Sequence, residues 1–381
     1  MPMTALRVGW VAAVAAVSLV LATAPASAAT WTIVASPNPG SADSVLFGVD
    51  ADSPSSAWAV GYADASSSPW RRPMIQRWDG TGWSAVATPA LSDYAILYAV
   101  DASTAASAWA VGAVGSQALI ERWDGSAWTV LPGPTPPGAT NTELREVKAV
   151  TADDAWAVGT AFVPGASPST RTLITRWNGA AWTAVPSPNP DPTRNLLVAV
   201  DSIAPDDAWA VGNIGDDGYG GGTVAGLVLH WNGSSWSRVT IPTGGGFSII
   251  ELRDVVALAG NDVWVVGTAF SWSAFSFVPY VLHWNGQSWQ HGSIPAPPAG
   301  GFHGVTALSA TKVYAAGQKN SGQTLVARWN GATWMTESTP NPSGSSGLYD
   351  AAAAGPGTVW AVGDRTSNYN RRTLTLRATD G

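Results

Sequence analysis

The pattern Trp-(Asp/Asn)-Gly-x-x-Trp recurs six times along this chain and constrains the fold more than any other feature. The copies begin at Trp78, Trp123, Trp177, Trp231, Trp284 and Trp329. Asp-Gly or Asn-Gly between two apolar runs is a strong β-hairpin signal, because both residues tolerate positive φ angles. Each copy therefore predicts the end of one strand, a tight turn and the start of the next strand.

A second motif, Ala-Trp-Ala-Val-Gly, occurs in seven related copies spaced 46 to 55 residues apart, from Ala57–Gly61 to Val359–Gly363. A short run led by a large apolar residue precedes each copy, beginning at Leu46 in the first unit and at Leu348 in the seventh. Each unit thus holds four short strands, and such units at this spacing are typical of a β-propeller. The sequence predicts an all-β fold, a seven-bladed propeller of four-stranded antiparallel blades.

The two ends of the chain predict how the ring closes. The seventh unit stops at Gly381 after three strands, and the segment Trp31–Pro37 matches the outer-strand segment Trp182–Pro188 of another unit. We expect the N-terminal strand to complete the last blade, which would remove two exposed sheet edges.

The first 28 residues have the pattern of a signal peptide. Arg7 supplies a positive charge, an apolar run follows, and Ala26-Ser27-Ala28 is a small-residue cleavage site. We therefore expect a secreted, extracellular protein with a single propeller domain at residues 29–381 and no membrane span in the mature chain. The chain has no cysteine, so its stability must come from burial without disulfides. Its formal net charge of −7 argues against nucleic acid as a partner, and we expect a monomer.

The Trp that opens each outer strand, with the Pro-rich segment after it, resembles kelch-type and galactose-oxidase-like propellers. The resemblance covers essentially all of residues 29–381 and implies architecture rather than function, since propellers include enzymes, lectins and scaffolds. The chain departs from these families in two ways. Val-Gly stands where kelch repeats have a double glycine, and no cysteine is present for the cross-linked copper site of galactose oxidases. We expect no metal and no cofactor.

Of the 22 tryptophans, 19 fill three repeated positions, and we interpret them as packing between blades rather than as a sugar-binding stripe. Trp70 and Trp272 lie instead in loops that follow the Ala-Trp-Ala-Val-Gly strands. These loops vary in length and should emerge on one face, which we call the variable-loop face. Variable loops on a rigid scaffold are the usual layout of a binding surface.

The residue after the leading apolar residue of each innermost strand should lie at the mouth of the central channel. This position holds Phe47, Tyr98, Arg145, Val198, Arg253, His303 and Tyr349. The two arginines favour a carboxylate or sulfate, bound by charge-assisted hydrogen bonds. Because adjacent side chains in a strand alternate between faces, Glu146 and Asp254 need not pair with them. The candidate ligand-binding residues are Tyr98, Arg145, Arg253, His303, Tyr349, Trp70 and Trp272; the alternative is that these strand starts are merely solvated.

Three functions are consistent with these patterns. The first is a non-catalytic binding module for carbohydrate, including cell-wall glycan, or for a small anionic ligand at the channel mouth or variable-loop face. The second is a glycan-active enzyme with Glu146, Asp254 or Asp350 as general acid or base, although no residue is assigned as catalytic. The third is a cell-surface scaffold for a protein partner, with an apolar patch at Phe270, Trp272, Phe275 and Phe277.

Two weaker features concern metals. The loop with Asp216, Asp217 and Gly218 could bind calcium, but a flexible polar loop is the simpler interpretation. No two of the four histidines have the spacing of a zinc or copper site.

Overall fold

A computed structural model of the chain describes residues 29–215, 224–242, 246–342 and 344–379. The predicted signal peptide and the Asp216–Gly218 loop lie outside these residues. The described chain is all-β and contains no helix that could cross a membrane. Its 28 strands form seven four-stranded antiparallel sheets arranged as a β-propeller, which confirms the predicted fold.

The blades are numbered here in ring order, and each is given from its inner to its outer strand. Blade 1 comprises Ser44–Ser53, Ser56–Asp64, Arg71–Trp78 and Trp83–Val86; blade 2, Ala95–Thr104, Ser107–Val114, Gln117–Trp123 and Trp128–Leu131; blade 3, Asn141–Thr151, Asp154–Phe162, Thr170–Trp177 and Trp182–Val185; blade 4, Asn195–Ala204, Asp207–Ile214, Ala225–Trp231 and Trp236–Val239; blade 5, Phe247–Ala259, Asp262–Ser271, Ser276–Trp284 and Trp289–His291; blade 6, Gly300–Ser309, Lys312–Lys319, Thr324–Trp329 and Trp334–Glu337; blade 7, Ser346–Ala353, Thr358–Ser367, Asn370–Thr379 and Thr30–Val34.

The ring closes as predicted. The N-terminal strand Thr30–Val34 pairs antiparallel with Asn370–Thr379, placing Trp31 opposite Ala378. The outer strand of blade 7 therefore comes from the beginning of the chain, while its other three strands come from the end. This pairing joins segments separated by almost the whole sequence, so ring integrity depends on both termini.

The six Trp-(Asp/Asn)-Gly-x-x-Trp copies form the hairpins between third and outer strands, with the two tryptophans paired, as at Trp78 and Trp83. Only the glycine takes a positive φ, 95° at Gly80. The Asp79 carboxylate instead accepts hydrogen bonds from the backbone N–H groups of Thr81 and Gly82, at 2.8 and 2.9 Å. The acidic or amide residue thus serves as a side-chain cap for the turn, a role distinct from the φ tolerance that predicted it.

The repeated tryptophans pack between blades, as interpreted from the sequence. Trp109 of blade 2 lies 5.0 and 5.1 Å, between ring centroids, from Trp177 and Trp182 of blade 3. The same three-ring contact recurs around the ring, and at the closure Tyr314 of blade 6 packs against Trp31 at 6.1 Å. Aromatic burial of this size is a major source of stability for a chain without disulfides.

Candidate functional site

The seven residues predicted at the channel mouth share one local backbone feature, a β-bulge. In every blade the pairing between inner and second strand shifts at this point, so that the leading residue and the one two places later are paired. The residue between them, such as Arg145, has no partner in the ladder. A bulge re-aims a side chain and interrupts the alternation of faces. The simple alternation assumed for Arg145 and Glu146 therefore does not apply.

The glycine of the Ala-Trp-Ala-Val-Gly motif accommodates this bulge. It lies opposite the leading residue of the inner strand, and a Cβ on Gly159 would lie 2.0 Å from the backbone oxygen of Glu143. The corresponding distance at Gly61, to Val45 O, is 1.9 Å. No side chain fits at these separations, so the repeated glycine marks the bulge and with it the position of the mouth residue.

Arg145 and Arg253 line one pocket of about 430 Å³ at the mouth, on either side of Val198. Each arginine forms an ion pair with the glutamate two residues before it: Arg145 Nη2 lies 2.8 Å from Glu143 Oε1, and Arg253 pairs with Glu251. Arg194 also lines this pocket. The two predicted arginines are thus brought together, and their carboxylate partners are Glu143 and Glu251 rather than Glu146 and Asp254.

Aromatic rings continue the mouth on the other side of Arg145. The Arg145 guanidinium lies over the Tyr98 ring, 4.3 Å from its centroid. The Phe47 ring packs against the rings of Tyr98 and Tyr349, with centroid distances of 5.8 and 5.5 Å. His303 stacks on Tyr349 at 5.7 Å. Together these contacts place Phe47, Tyr98, Arg145, His303 and Tyr349 in one continuous arc, which we call the mouth arc.

The hydrogen bond made by His303 defines its tautomer. Its Nδ1 lies 2.9 Å from the backbone oxygen of Leu348, and since a carbonyl only accepts, Nδ1 carries the hydrogen. Burial lowers the pKa of His303, and the positive charge of Arg253 lowers it further. Its Nε2 is therefore an acceptor, complementary to the two donor guanidiniums.

A polar network fixes Tyr349 behind the arc. Its hydroxyl donates to Asp364 Oδ1 at 2.7 Å and accepts from Arg371 Nη2 at 2.8 Å. Burial, together with the neighbouring Asp364, raises the pKa of Tyr349, so this phenol keeps its proton. Arg371 also forms an ion pair with Asp364 at 2.7 Å. These contacts at its hydroxyl fix the orientation of the Tyr349 side chain.

Trp70 is linked to the arc through intermediate residues. It is 65% exposed and lines a small pocket with Tyr94 and Arg71. The Arg71 guanidinium lies 3.7 Å above the Tyr62 ring, and Tyr62 in turn contacts Phe47 at 5.8 Å. A strip of aromatic and cationic side chains therefore runs outward across blade 1 from the mouth, through Phe47, Tyr62 and Arg71 to Trp70.

Trp272 lies in a different cluster, at the tip of the hairpin between the second and third strands of blade 5. Its ring packs edge-on against Phe270 at 5.3 Å, and Phe275 and Phe277 contact the same phenylalanine. Trp272 and Phe275 are 62% and 77% exposed. Among the described contacts none connects this cluster to the mouth arc, so the structure separates Trp272 from the other predicted site residues.

Below the mouth, carboxylates line the central channel and join neighbouring blades. Asp350 of blade 7 accepts the backbone N–H of Val49 in blade 1, at 2.8 Å. Asp254 of blade 5 likewise accepts from Val305 of blade 6, at 2.7 Å. Equivalent side-chain bonds between blades are made by Asp50, Asp101, Asp201 and Thr306. We call these contacts the channel latches; they give two of the three predicted catalytic candidates a structural role.

Lys148 completes the ring of latches at blade 3. Its Nζ lies 3.3 Å from both Asp101 Oδ1 and Asp201 Oδ1, so it bridges blades 2 and 4, and the two negative charges raise its pKa. Burial, and then the charge of Asp101, raises the pKa of Asp50 to about 7. Burial also raises the pKa of Asp350 to about 7.

Glu146 accepts a hydrogen bond from the N–H of its own neighbour, Val147, at 3.0 Å, as Asp254 and Asp350 do from theirs. It differs from these two carboxylates because no described hydrogen bond joins it to another blade. Burial raises its pKa well above the usual range, and Asp350 and Asp254 raise it further. The cavity lined by these groups is about 420 Å³. No cluster of three or more histidine or acidic residues within the described ranges is arranged to hold a metal ion.

Two histidines outside the mouth are structural. His230 and His283 pair with Asp207 and Asp262 at 2.8 and 2.7 Å, and each packs against a blade tryptophan. They replace the arginine found at this position in other blades, for example Arg176, which pairs with Asp154 at 2.7 Å.

No protein-family model matches this chain, and no curated protein matches it by sequence. The fold is similar to that of several solved propellers. A structure of YCF48 bound to D1 peptide has a TM-score of 0.58 at 14% identity, covering 93% of this chain and 96% of the other. YCF48 from Cyanidioschyzon merolae has a TM-score of 0.55 at 16% identity, covering 92% and 98%.

Two enzymes are similar in fold as well. An ulvan lyase, a polysaccharide lyase bound to -[GlcA(1-4)Rha3S]-, has a TM-score of 0.53 at 10% identity, covering 84% of this chain and 89% of the other. A puromycin hydrolase has a TM-score of 0.57 at 9% identity, covering 87% of this chain and 52% of the other. At these identities the similarity establishes the propeller fold and leaves the kelch-like relationship as a prediction.

Sequence reasoning missed several residues of this site. The tripeptide Glu-Leu-Arg occurs at both Glu143–Arg145 and Glu251–Arg253, and this recurrence is the signal that could have identified the ion-pair partners. Tyr62, Asp364 and Arg371 lie on second and third strands, and no local pattern associates them with the mouth.

Proposed function

We propose that this protein is a secreted, non-catalytic binding module that holds an acidic carbohydrate at the channel mouth. The observation that carries the proposal is the pocket where Arg145 and Arg253 converge beside the mouth arc. A uronic or sialic acid combines a carboxylate with a ring that has an apolar face, and the mouth offers a complement to each.

The carboxylate would be bound by the two guanidiniums. Both arginines are already paired with Glu143 and Glu251, which orients them and restrains their side chains. The Arg145 and Arg253 side chains are 39% and 43% exposed, so each can accept a further anion. Bidentate guanidinium–carboxylate contacts provide both affinity and orientation.

The sugar ring would lie against the aromatic residues of the arc. Phe47, Tyr98 and Tyr349 are partly exposed and packed on buried residues, so they form a preorganised surface. The Nε2 acceptor of His303 suits a sugar hydroxyl. A longer glycan could extend along the strip through Tyr62 and Arg71 to Trp70, which would give that exposed indole a role in binding.

The enzyme alternative rests on Glu146, whose raised pKa suits a general acid. Binding without catalysis is favoured because Asp254 and Asp350, the two acidic residues that raise the pKa of Glu146 most, are committed to the channel latches. The ulvan lyase among the fold neighbours binds a glucuronic-acid-containing saccharide, which supports the ligand class proposed here without establishing an activity.

The test is a titration of glucuronic acid, sialic acid and neutral glucose against the protein by isothermal calorimetry. We expect the acidic sugars to bind and glucose to bind at least fivefold more weakly. Arg145→Ala and Arg253→Ala should each weaken acid binding about fivefold, the effect of losing roughly 1 kcal/mol. Arg238→Ala, on the exposed surface of an outer strand, is the matched control and should bind as the parent does. Equal affinities in the mouth variants and the control would refute the proposal.

A second candidate, a protein-interaction scaffold, is favoured by the exposed cluster at Phe270, Trp272, Phe275 and Phe277. Four aromatics at one hairpin tip are unusual for a surface without a partner. YCF48, a fold neighbour, binds a peptide, which supports this class of function. A photo-crosslinking residue at Ala274 should trap one defined protein on intact cells. The same group at Ala332, on the opposite face, should not; identical adducts from both positions would argue against the scaffold.

A further inference from the structure

Two blades carry equivalent clefts at the rim, away from the channel mouth. In blade 1 the outer strand ends at Val86, opposite Ile75, and a cleft of about 430 Å³ lies beyond this pair. In blade 3 the outer strand ends at Val185, opposite Ile174, beside a cleft of about 470 Å³. Each cleft thus begins where the third strand continues past the end of its partner.

The two clefts are lined by corresponding residues. Met74 and Ile75 in blade 1 match Leu173 and Ile174 in blade 3. The blade 3 cleft is largely apolar, whereas polar groups make up almost half of the lining of the blade 1 cleft. Both also include one arginine, Arg72 in blade 1 and Arg171 in blade 3, at the same position in the pairing with the second strand. Recurrence of one arrangement in two blades of different sequence argues that it is a feature of the fold.

In blades 4 and 5 the chain fills the corresponding space with its own side chain. The fifth residue after the outer-strand tryptophan is Ile241 in blade 4 and Ile294 in blade 5, and both are buried, at 9% and 7% exposure. Ile241 packs in one cluster with Val228, and Ile294 packs with Val281. These valines are the counterparts of Ile75 and Ile174.

Blades 1 and 3 have small polar residues at the position of these isoleucines, namely Thr88 and Ser187. Each of these four positions is followed by a proline, and Pro242 and Pro295 are exposed. The isoleucine side chain is therefore what fills the space in blades 4 and 5. Blades 4 and 5 therefore show that this site accepts an isoleucine side chain. In blades 1 and 3 no side chain of the protein at this position fills the space, so a ligand could provide one.

The arginines add a charge requirement. Arg171 uses Nε to donate to the backbone oxygen of Pro168 at 3.0 Å, and Arg72 makes one contact, to Ser67 Oγ at 3.4 Å. Across the described residues neither guanidinium forms an ion pair. Asp64 also lines the blade 1 cleft, but its carboxylate pairs with Arg71. A cleft that combines apolar residues with a guanidinium outside any described ion pair is complementary to an aliphatic group with a carboxylate close by.

We propose that blades 1 and 3 each bind a short acidic peptide segment through an isoleucine side chain. The isoleucine takes the position that Ile241 and Ile294 take in blades 4 and 5, and a neighbouring aspartate or glutamate pairs with Arg72 or Arg171. The protein then has two equivalent peptide sites per chain, separate from the mouth arc.

The internal repeats supply the variants for a test. Thr88→Ile and Ser187→Ile introduce the residue that fills the space in blades 4 and 5, and should close each cleft without touching the mouth. Arg72→Gln and Arg171→Gln introduce the residue found at the same position in blades 2 and 6, Gln117 and Gln323. The probe is a fluorescent peptide with the sequence Gly-Asp-Ile-Pro-Asp-Gly, and its control has Ala in place of Ile.

In a calorimetric titration of the full chain we expect two sites, and at least tenfold weaker binding of the Ala peptide. Thr88→Ile should reduce the stoichiometry from two to one, and the double variant with Ser187→Ile should abolish binding. Ser187 Oγ is hydrogen-bonded to Thr172 Oγ1 at 2.7 Å, so the folding of that variant is checked by thermal melting. The two Arg→Gln variants should weaken binding at least threefold and reduce its salt dependence. No binding to the parent at millimolar peptide, or unchanged binding to the double variant, would overturn the proposal.

Discussion

Glu121 allows a direct test of how much the ionisation of one buried carboxyl group destabilises the fold. It lies on the third strand of blade 2, fully buried, and neither carboxylate oxygen has a hydrogen-bond partner among the described residues. Burial raises its pKa from 4.5 to about 7. The pKa of Glu121 is higher in the folded state than in the unfolded state. Its contribution to the free energy of unfolding is therefore fully present below pH 4.5 and is lost as the pH rises through 7. At pH 8 the difference between these two pKa values lowers the free energy of unfolding by roughly 3 kcal/mol.

The repeats indicate the replacement. Leu229, Leu282 and Leu376 occupy the corresponding positions of blades 4, 5 and 7, and all are buried. The gain in melting temperature of Glu121→Leu over the parent should therefore be larger at pH 8 than at pH 4.5. With an unfolding entropy of about 2.1 cal/mol/K per residue over about 350 residues, 3 kcal/mol corresponds to a difference of roughly 4 °C.

The assay is thermal unfolding followed by circular dichroism from pH 4.5 to 8, with Glu121→Gln as a neutral, isosteric control. The difference in melting temperature between Glu121→Leu and the parent should increase with pH. The difference between Glu121→Leu and Glu121→Gln should stay constant. The channel carboxylates titrate equally in all three proteins and cancel in these differences. Parallel curves for the parent and both variants would show that Glu121 remains protonated or finds a partner, and would refute the reasoning.

Three further predictions concern the ring. Deleting residues 29–39 should lower soluble yield and melting temperature sharply, because it removes the strand paired with Asn370–Thr379; an unchanged melt would contradict the closure. Trp182→Ala should cost about 3–5 kcal/mol in urea unfolding, since its ring packs on Trp109 between blades, and full stability would argue against that role. Lys148→Met should cost about 2 kcal/mol in the same assay, as it leaves Asp101 and Asp201 without their shared cation; neutral or stabilising behaviour would contradict the bridge.

The architecture could be predicted because the signals that define it are local and repeated. Each Trp-Asp-Gly turn specifies a hairpin within six residues, and seven copies of a strand motif fix the blade count. Closure could be predicted too, because the N-terminal segment matches an outer strand in another unit. Repetition thus converts weak local preferences into a strong constraint on the whole fold.

The site could be predicted only in part, because its contacts join residues far apart in the chain. Asp101 accepts its latch hydrogen bond from Ala149, 48 residues away, and nothing near Asp101 indicates this partner. The bulge at each mouth residue was missed because regular alternation was assumed, although a glycine repeated inside a strand is a bulge signal. Whether Trp272 lies near the mouth residues depends on where its hairpin projects, and loop sequence does not determine that.

Each inner strand places a proposed ligand-binding residue directly before the position whose aspartates join neighbouring blades. The bulged position has no ladder partner, which allows it to vary from Phe47 to Arg145 to His303 at little cost. The next residue is tied into the ring wherever it is an aspartate: Asp254 accepts the N–H groups of both Val255 and Val305. Arg253→Ala should therefore leave the free energy of unfolding within about 0.5 kcal/mol of the parent, whereas Asp254→Ala should lower it by about 1–3 kcal/mol. Urea unfolding of the two adjacent variants measures this difference directly. Equal losses would mean that the mouth residue also supports the ring, and that a change in ligand affinity at Arg253 could not be separated from a change in fold.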